Sequence, residues 1–408
     1  MAKKKKRRSN PIRVVLLMLG IVASTVFGIV QIKGIAGLFK GNTTTVAKTE
    51  EKEETKKEDT KKKDSNSVSF VAVGDNLIHE TVYLDAEKSD GTYDFKKMYA
   101  NVEDVIKSAD VAFINQETIL GGTELGLSGY PTFNSPSEIA KNLEDVGFNL
   151  ANLATNHCLD KSETGIANEL DAFSKTDITV DGIYTSQQDY DSISTFEKNG
   201  ITFAFLAYTY GTNGIEAPNT YNVSYFDEAK ITNDVTKAKE VSDVVIVSAH
   251  WGDENTFQPN AFETQYAQLF ADLGVDVVIG THPHTIQPIE WVTGKDGNKT
   301  LVAYSLGNFI GGMLTTDNAI GGMFCFDVVK NKDSYTVENV EWKPTFIHFE
   351  GNQDNILAER YNYAAYLVED YTDKLAAKHV LNGYDGNVVS LDYINQVTKD
   401  VISSEYLK

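Results

Sequence analysis

Gly274-Val-Asp-Val-Val-Ile-Gly-Thr-His-Pro-His-Thr-Ile-Gln-Pro-Ile-Glu290 joins a β-branched apolar run to a polar loop. Val275 to Ile279 reads as a buried strand, and past Gly280 the chain presents His282 and His284. Pro283 disfavours the helical region at His282, so extended backbone is expected there, with both imidazoles on one side of the chain. Neutral imidazole is a common ligand for zinc, manganese and iron, so the pair reads as half of a coordination shell. A surface loop that happens to hold two histidines is the competing reading, and the other strand ends must decide between them.

Outward from this stretch, β-like runs recur at 68–73, 111–115, 150–153, 178–180, 201–208, 244–249, 301–305, 323–329 and 335–342. Helical patterns fall at 95–108, 137–144, 163–174, 227–241 and 261–272, and the Tyr- and Asp-rich region after Lys343 reads as helical over 355–378. Alternation of this kind predicts an α/β fold with helices over buried sheets. In such folds ligands bind outside the carboxyl ends of the strands. Those ends carry Asp75, then Asn115 and Glu117, then Asn156 and His157, then His250, then His282 and His284.

Each residue has a plainer alternative. Asp75 caps a turn, Asn156 and His157 start a helix with Asp160 and Glu163 in its first turn, His250 packs in an aromatic corner beside Trp251, and Glu117 is an exposed carboxylate. One site explains five coincidences together, and four of the chain's seven histidines fall in it. Two carboxylates, an amide and three imidazoles suffice for one or two divalent ions of the Mn, Fe or Zn type, with His157 outside the shell as a proton donor.

Charge divides the chain. Residues 1–67 hold 16 Lys/Arg against 7 Asp/Glu, whereas the remaining 341 residues hold 21 against 51, a net of −30. The acidic body lacks the clustered cations that nucleic-acid binding draws on. Two cysteines, Cys158 and Cys325, cannot build a disulfide framework and read as reduced thiols. At the N-terminus a basic tail (1–13) precedes an apolar stretch (14–32) long enough for a signal-anchor helix, with the N-terminus in the cytoplasm and the body outside the cell membrane. A cleaved signal peptide ending near Thr45-Val46-Ala47 is the alternative. Residues 33–67 form a charged linker, rich in Lys, Glu, Asp, Thr and Ser towards its end, that reads as a solvated tether.

Six segments, in order, carry a resemblance: Phe70-Val-Ala-Val-Gly-Asp75; Phe113-Ile-Asn-Gln-Glu117; Asn152-Leu-Ala-Thr-Asn-His157 with Asp160 and Gly165; Ser248-Ala-His-Trp-Gly252 with Glu254; Gly280-Thr-His-Pro-His284 with Gln287-Pro-Ile-Glu290; and Tyr304-Ser-Leu-Gly-Asn-Phe309. Together they resemble the bacterial CapA family of capsule and poly-γ-glutamate biosynthesis, related to calcineurin-like metallophosphatases. The resemblance implies a four-layer α-β-β-α sandwich over 68–343, with 344–408 as a C-terminal extension. It implies metal roles for Asp75, Glu117, Asn156, His250, His282 and His284, and a catalytic His157 with Asp160. His79, Trp251, Glu254 and Asn308 would line the substrate pocket.

The chain departs from the wider superfamily, whose first motif is Asp-x-His, because Leu77 stands two residues after Asp75; Asn115-Gln-Glu117 likewise replaces the second motif, Gly-Asp-x-x-Asp. His79 either compensates or caps the following helix. The implied function is a membrane-anchored, metal-dependent hydrolase or transferase using a metal-activated water on an anionic surface polymer or its precursor. The alternative is a non-catalytic assembly subunit that binds polymer or membrane synthase partners through a degenerate metal pocket.

Overall fold

The computed structural model describes residues 66–332 and 334–408, so the expected basic tail, anchor and nearly all of the linker lie outside the described residues. Among the described residues no helix is long and apolar enough to cross a membrane. Among the described residues fourteen strands form two sheets. They are β1 (Ser67–Asn76), β2 (Val111–Gln116), β3 (Leu150–Asn152), β4 (Thr179–Asp181), β5 (Ser194–Lys198), β6 (Ile201–Thr209), β7 (Val244–His250), β8 (Val277–Thr281), β9 (Ile289–Thr293), β10 (Lys299–Ala303), β11 (Asn308–Ile310), β12 (Ile320–Lys330), β13 (Tyr335–Gly351) and β14 (Arg360–Leu367).

One sheet runs β14-β13-β12-β1-β2-β3-β4, with β11 joining the end of β1; the other runs β5-β6-β7-β8-β10-β9. β1 to β4 are mutually parallel, as are β6, β7, β8 and β10. Of these, β1, β2, β6, β7 and β8 are near-continuous apolar runs because both of their faces are covered. Phe70 meets Phe203 and Phe113 meets Phe205 across the gap between sheets, with centroids 5.3 and 6.0 Å apart, so the two sheets share a core. The helices Glu228–Val241 and Ala261–Leu273 cover the far side of the second sheet, burying Val235 and Phe270 against Tyr208 and Trp251. The helix Ala261–Leu273 is bounded by a capping box, in which Asn260 accepts from the Glu263 backbone and Glu263 accepts from the Asn260 backbone.

The expected helix over 355–378 is not formed. Arg360–Leu367 is a strand antiparallel to β13, and a helical turn follows at Asp373–Ala376. Arg360-Tyr-Asn-Tyr-Ala-Ala-Tyr-Leu367 is aromatic-rich and alternates in burial, which suits a sheet edge. β13 crosses position 343 without a break, so the residues after it continue the first sheet. Both cysteines are free thiols.

Candidate metal centre

Because every parallel strand ends on the same edge, the loops that follow them converge. Asp75 is the penultimate residue of β1, Glu117 follows β2, Asn156 and His157 follow β3, His250 closes β7, and His282 and His284 follow β8. Glycine permits the close approach at two of these ends. A Cβ on Gly74 would lie 1.8 Å from the Gly307 carbonyl oxygen, and one on Gly280 would lie 1.9 Å from that of Tyr304.

Short contacts link all six proposed ligands. His284 Nδ1 donates to Asp75 Oδ2 at 3.1 Å, and its Nε2 lies 3.6 Å from Glu117 Oε1. Glu117 Oε1 lies 3.9 Å from His250 Nε2, which in turn is 3.0 Å from Asn156 Oδ1. The His282 ring sits between those of His250 and His284, at 4.8 and 5.7 Å. Glu117, His282 and His284 each offer a ligand atom within 4.8 Å of the others.

The backbone route to this geometry differs from the expected one. His282 has φ +98° and His284 φ +58°, so neither is extended. A non-glycine residue at positive φ is strained, and strain of this kind persists where surrounding contacts over-determine it. Here the His282 N–H points at the Asp75 carboxylate, 3.3 and 3.4 Å from its oxygens. The two imidazoles still converge, but through a kinked loop.

Burial sets the protonation states. Desolvation drives His250 and His282 well below the usual imidazole range, and neighbouring imidazoles add to it, so both are neutral and able to ligate. Desolvation likewise raises Glu117 well above the usual carboxylate range, opposed by His284 and reinforced by Asp75. For His284 burial pulls downward, yet Glu117 and Asp75 together lift it to about 10. Both carboxylate oxygens of Glu117 and Nδ1 of His282 are buried without a hydrogen-bond partner. Orphaned atoms of this kind are rare inside proteins, and a mixed oxygen and nitrogen set aimed at one point fits a divalent cation.

His157 stands at the border of the cluster. Its Nδ1 bonds Asp160 Oδ2 at 2.7 Å, and the same oxygen accepts the Phe133 N–H at 2.6 Å. Asp160 thus fixes the ring as an orienting carboxylate does, with Phe133 edge-on at 4.6 Å.

The residues expected to line the pocket scatter. Trp251 is fully buried on the far side of the second sheet, donates from Nε1 to the Tyr304 carbonyl and packs on Phe226, so it is a core residue. Asn308 is buried behind His284, which it bonds at 3.0 Å, and it also donates to the Asn318 carbonyl. Glu254 is exposed, near enough for its charge to act on Glu117 and His284. His79 occupies the cap position of the helix Glu80–Ala86 but makes no side-chain cap bond; its Nδ1 instead accepts the Gly312 N–H at 3.0 Å.

Sequence reading missed Tyr210 and Asn213. Tyr210 follows β6 and lays its ring 4.6 Å from that of His282. Asn213 approaches both His157 nitrogens at 3.4 and 3.5 Å and bonds Asn156. Their signal was a polar loop directly after a parallel strand, the same rule that located the histidines.

Fold and site together define an α/β protein with a buried, metal-type histidine and carboxylate centre between the edges of two sheets. Residues 69–313, more than half of the chain, match the profile of the family described as bacterial capsule synthesis protein PGA_cap, and the chain belongs to that family. Similar curated proteins are the PGA biosynthesis protein CapA of Bacillus subtilis (strain 168), 34% identical over 189 residues covering 45% of this chain and 48% of that protein, and the capsule biosynthesis protein CapA of Bacillus anthracis, 28% identical over 196 residues covering 46% of each. The chain thus spans about half the length of these relatives. Among solved structures, the calcineurin-like phosphoesterase YfkN from Bacillus subtilis aligns over 82% of this chain and 97% of its own at 14% identity and TM-score 0.42. A hypothetical protein from Thermus thermophilus aligns over 67% and 99% at 13% identity and TM-score 0.41.

Proposed function

We propose that this chain is a membrane-anchored, extracytoplasmic protein of capsule or poly-γ-glutamate biosynthesis, built as a metallophosphatase-type four-layer sandwich, whose site hydrolyses or transfers an anionic surface polymer or its precursor. The observation that carries the reading is the buried, unsatisfied pair of Glu117 oxygens converging with His282 and His284. Asp75, Glu117, Asn156, His250, His282 and His284 would hold one or two divalent ions. When bound, such ions supply Lewis acidity toward an attacking water and a leaving oxygen.

The chain's own residues do the rest. Asp75 accepts from His284 Nδ1 and so turns Nε2 toward Glu117. Asp160 holds the proton on His157 Nδ1, which leaves Nε2 to exchange a proton with the reacting group. Tyr210 covers the His282 face and restricts water there. The apolar stretch at 14–32, flanked by Lys and Arg, supports attachment to the membrane, where synthase subunits would be partners.

One observation favours a non-catalytic assembly role instead: Leu77, buried and apolar, occupies the place of the histidine in the superfamily's first motif, and His79 is engaged by Gly312. Metal content of the purified chain, with and without His282→Ala, together with end release from γ-linked polyglutamate and from a generic phosphodiester in Mn²⁺, separates the readings. Turnover lost on chelation and in His282→Ala supports the enzyme. Turnover that survives both overturns it, and one ion or none with polymer binding but no turnover assigns the assembly role.

A further inference from the structure

Taking as its basis the reading that this chain acts on an anionic polymer, we infer that Arg360, beside the His79–Gly312 contact, is an anion subsite flanking the metal centre that takes the free α-carboxylate of a γ-glutamyl unit. Arg360 opens β14 and is 8% exposed. Its Nη1 donates to the Gly312 carbonyl, its Nε is buried without a partner, and among the described residues no carboxylate pairs with it. Among the described residues Nη2 has no hydrogen-bond partner, and unlike Nε it is not fully enclosed. The Phe349 ring lies under the guanidinium, its centroid 5.8 Å from Cζ.

A buried guanidinium carries five N–H donors and a charge that is costly to enclose without a counter-ion. A strut tying β14 to the Gly312 turn would use one donor; of the four that remain the Nε–H is enclosed, which leaves those of the two Nη groups. Their geometry suits a carboxylate, which Arg binds through two parallel N–H groups.

Position connects this charge to the site. A Cβ built on Gly312 would lie 3.1 Å from Arg360 Nη1 and 3.1 Å from His79 Cβ, so the turn is gripped between the two side chains. Gly312 follows β11, whose first residue, Asn308, holds His284. On the other side His79 is edge-on to Phe133 at 5.3 Å, and Phe133 is edge-on to His157. Burial lowers His79 to about 3, which leaves the guanidinium as the positive group of this corner.

The charge distribution gives it a use. A body of net −30 repels a polyanion, so polymer contact concentrates where cations are fixed. The metal centre supplies one such point and Arg360 a second, and it gives the chain after residue 343 a part in the site.

The test uses the full chain in detergent and a fluorescently labelled γ-linked glutamate hexamer, in EDTA so that metal does not contribute. The wild type is expected to bind. Arg360→Gln should weaken binding about tenfold or more and Arg360→Lys by less, since a lysine keeps the charge but loses the fork. Arg360→Gln should keep the wild-type metal content.

Equal affinity in wild type and Arg360→Gln, or no binding by the wild type, overturns the subsite. Inorganic phosphate displacing the hexamer at lower concentration than free glutamate overturns its assignment to a carboxylate. If Arg360→Gln does not fold by circular dichroism, unchanged affinity in Arg360→Lys overturns the proposal. Failure of the metal-dependent reading is seen separately, in metal content and turnover measured without the hexamer.

Discussion

Glu117→Gln tests the metal centre through stability alone, with no substrate required. Glu117 is completely buried, both of its oxygens are orphaned, and His284 Nε2 lies 3.6 Å from Oε1. Glutamine keeps the shape and removes the charge. Without metal, the change relieves an enclosed carboxylate while weakening the charged form of His284, which can shed its proton. The two effects oppose, so the metal-free difference should stay within about 1 kcal/mol.

With metal the difference becomes large. A ligand at about 100 times its Kd stabilises the native state by about 2.7 kcal/mol. Loss of an anionic ligand should cost at least about 100-fold in affinity, at or above the upper range for outer-shell partners. The same Mn²⁺ concentration then stabilises the variant by roughly 0.4 kcal/mol. At roughly 2 °C per kcal/mol for a large domain, Mn²⁺ should raise the wild-type Tm by about 5 °C and the variant's by about 1 °C. Calorimetry in EDTA and in Mn²⁺ measures both. Equal metal-induced shifts in the two proteins would refute a centre built on Glu117.

Asp160→Asn should lower turnover on whichever polymer or diester proves active by about 10²- to 10⁴-fold while metal content stays unchanged, because Asp160 orients His157 and contacts none of the proposed ligands other than through it. Trp251→Phe should cost about 1–3 kcal/mol by orphaning the Tyr304 carbonyl, read as a lower Tm, with no change in metal stoichiometry. Asp181, buried beside Tyr184, Ser194 and the Ala207 N–H, is raised by desolvation to about 6. A carboxyl whose folded pKa exceeds its unfolded value stabilises the protein below the unfolded pKa, and that contribution is lost as pH rises through the folded one. Stability should therefore fall by about 3 kcal/mol between roughly pH 4 and pH 6 from this group, and Asp181→Asn should flatten that segment of the urea-denaturation profile.

What could be read from the sequence follows the burial of the strands. β1, β2, β6, β7 and β8 are apolar runs covered on both faces, so their boundaries nearly match the reading from the residues. β5 and β9 are edge strands that carry Glu197 and Glu290 on exposed faces, and β11 is three residues long, so none shows an apolar pattern. β14 reads as helix in isolation because its tyrosines and alanines fit either state locally; pairing with β13 decides it.

The site shows the same division between what is local and what is not. Strand-end position brought Asp75, Glu117, Asn156, His250, His282 and His284 together, since chain direction alone places them on one edge. It could not tell which side of the edge a neighbour takes. Trp251 is next to His250, yet adjacent residues of an extended chain point to opposite faces, so one residue enters the centre and the other the helix-covered core. The same alternation explains the kink at His282. Continuing β8 in register would send His282 and His284 to one face a full repeat apart; positive φ at both residues folds that advance back, so both rings reach Glu117. Strain at these positions is therefore a consequence of asking one short loop for two ligands, and relaxing it should separate the imidazoles before it disturbs either sheet.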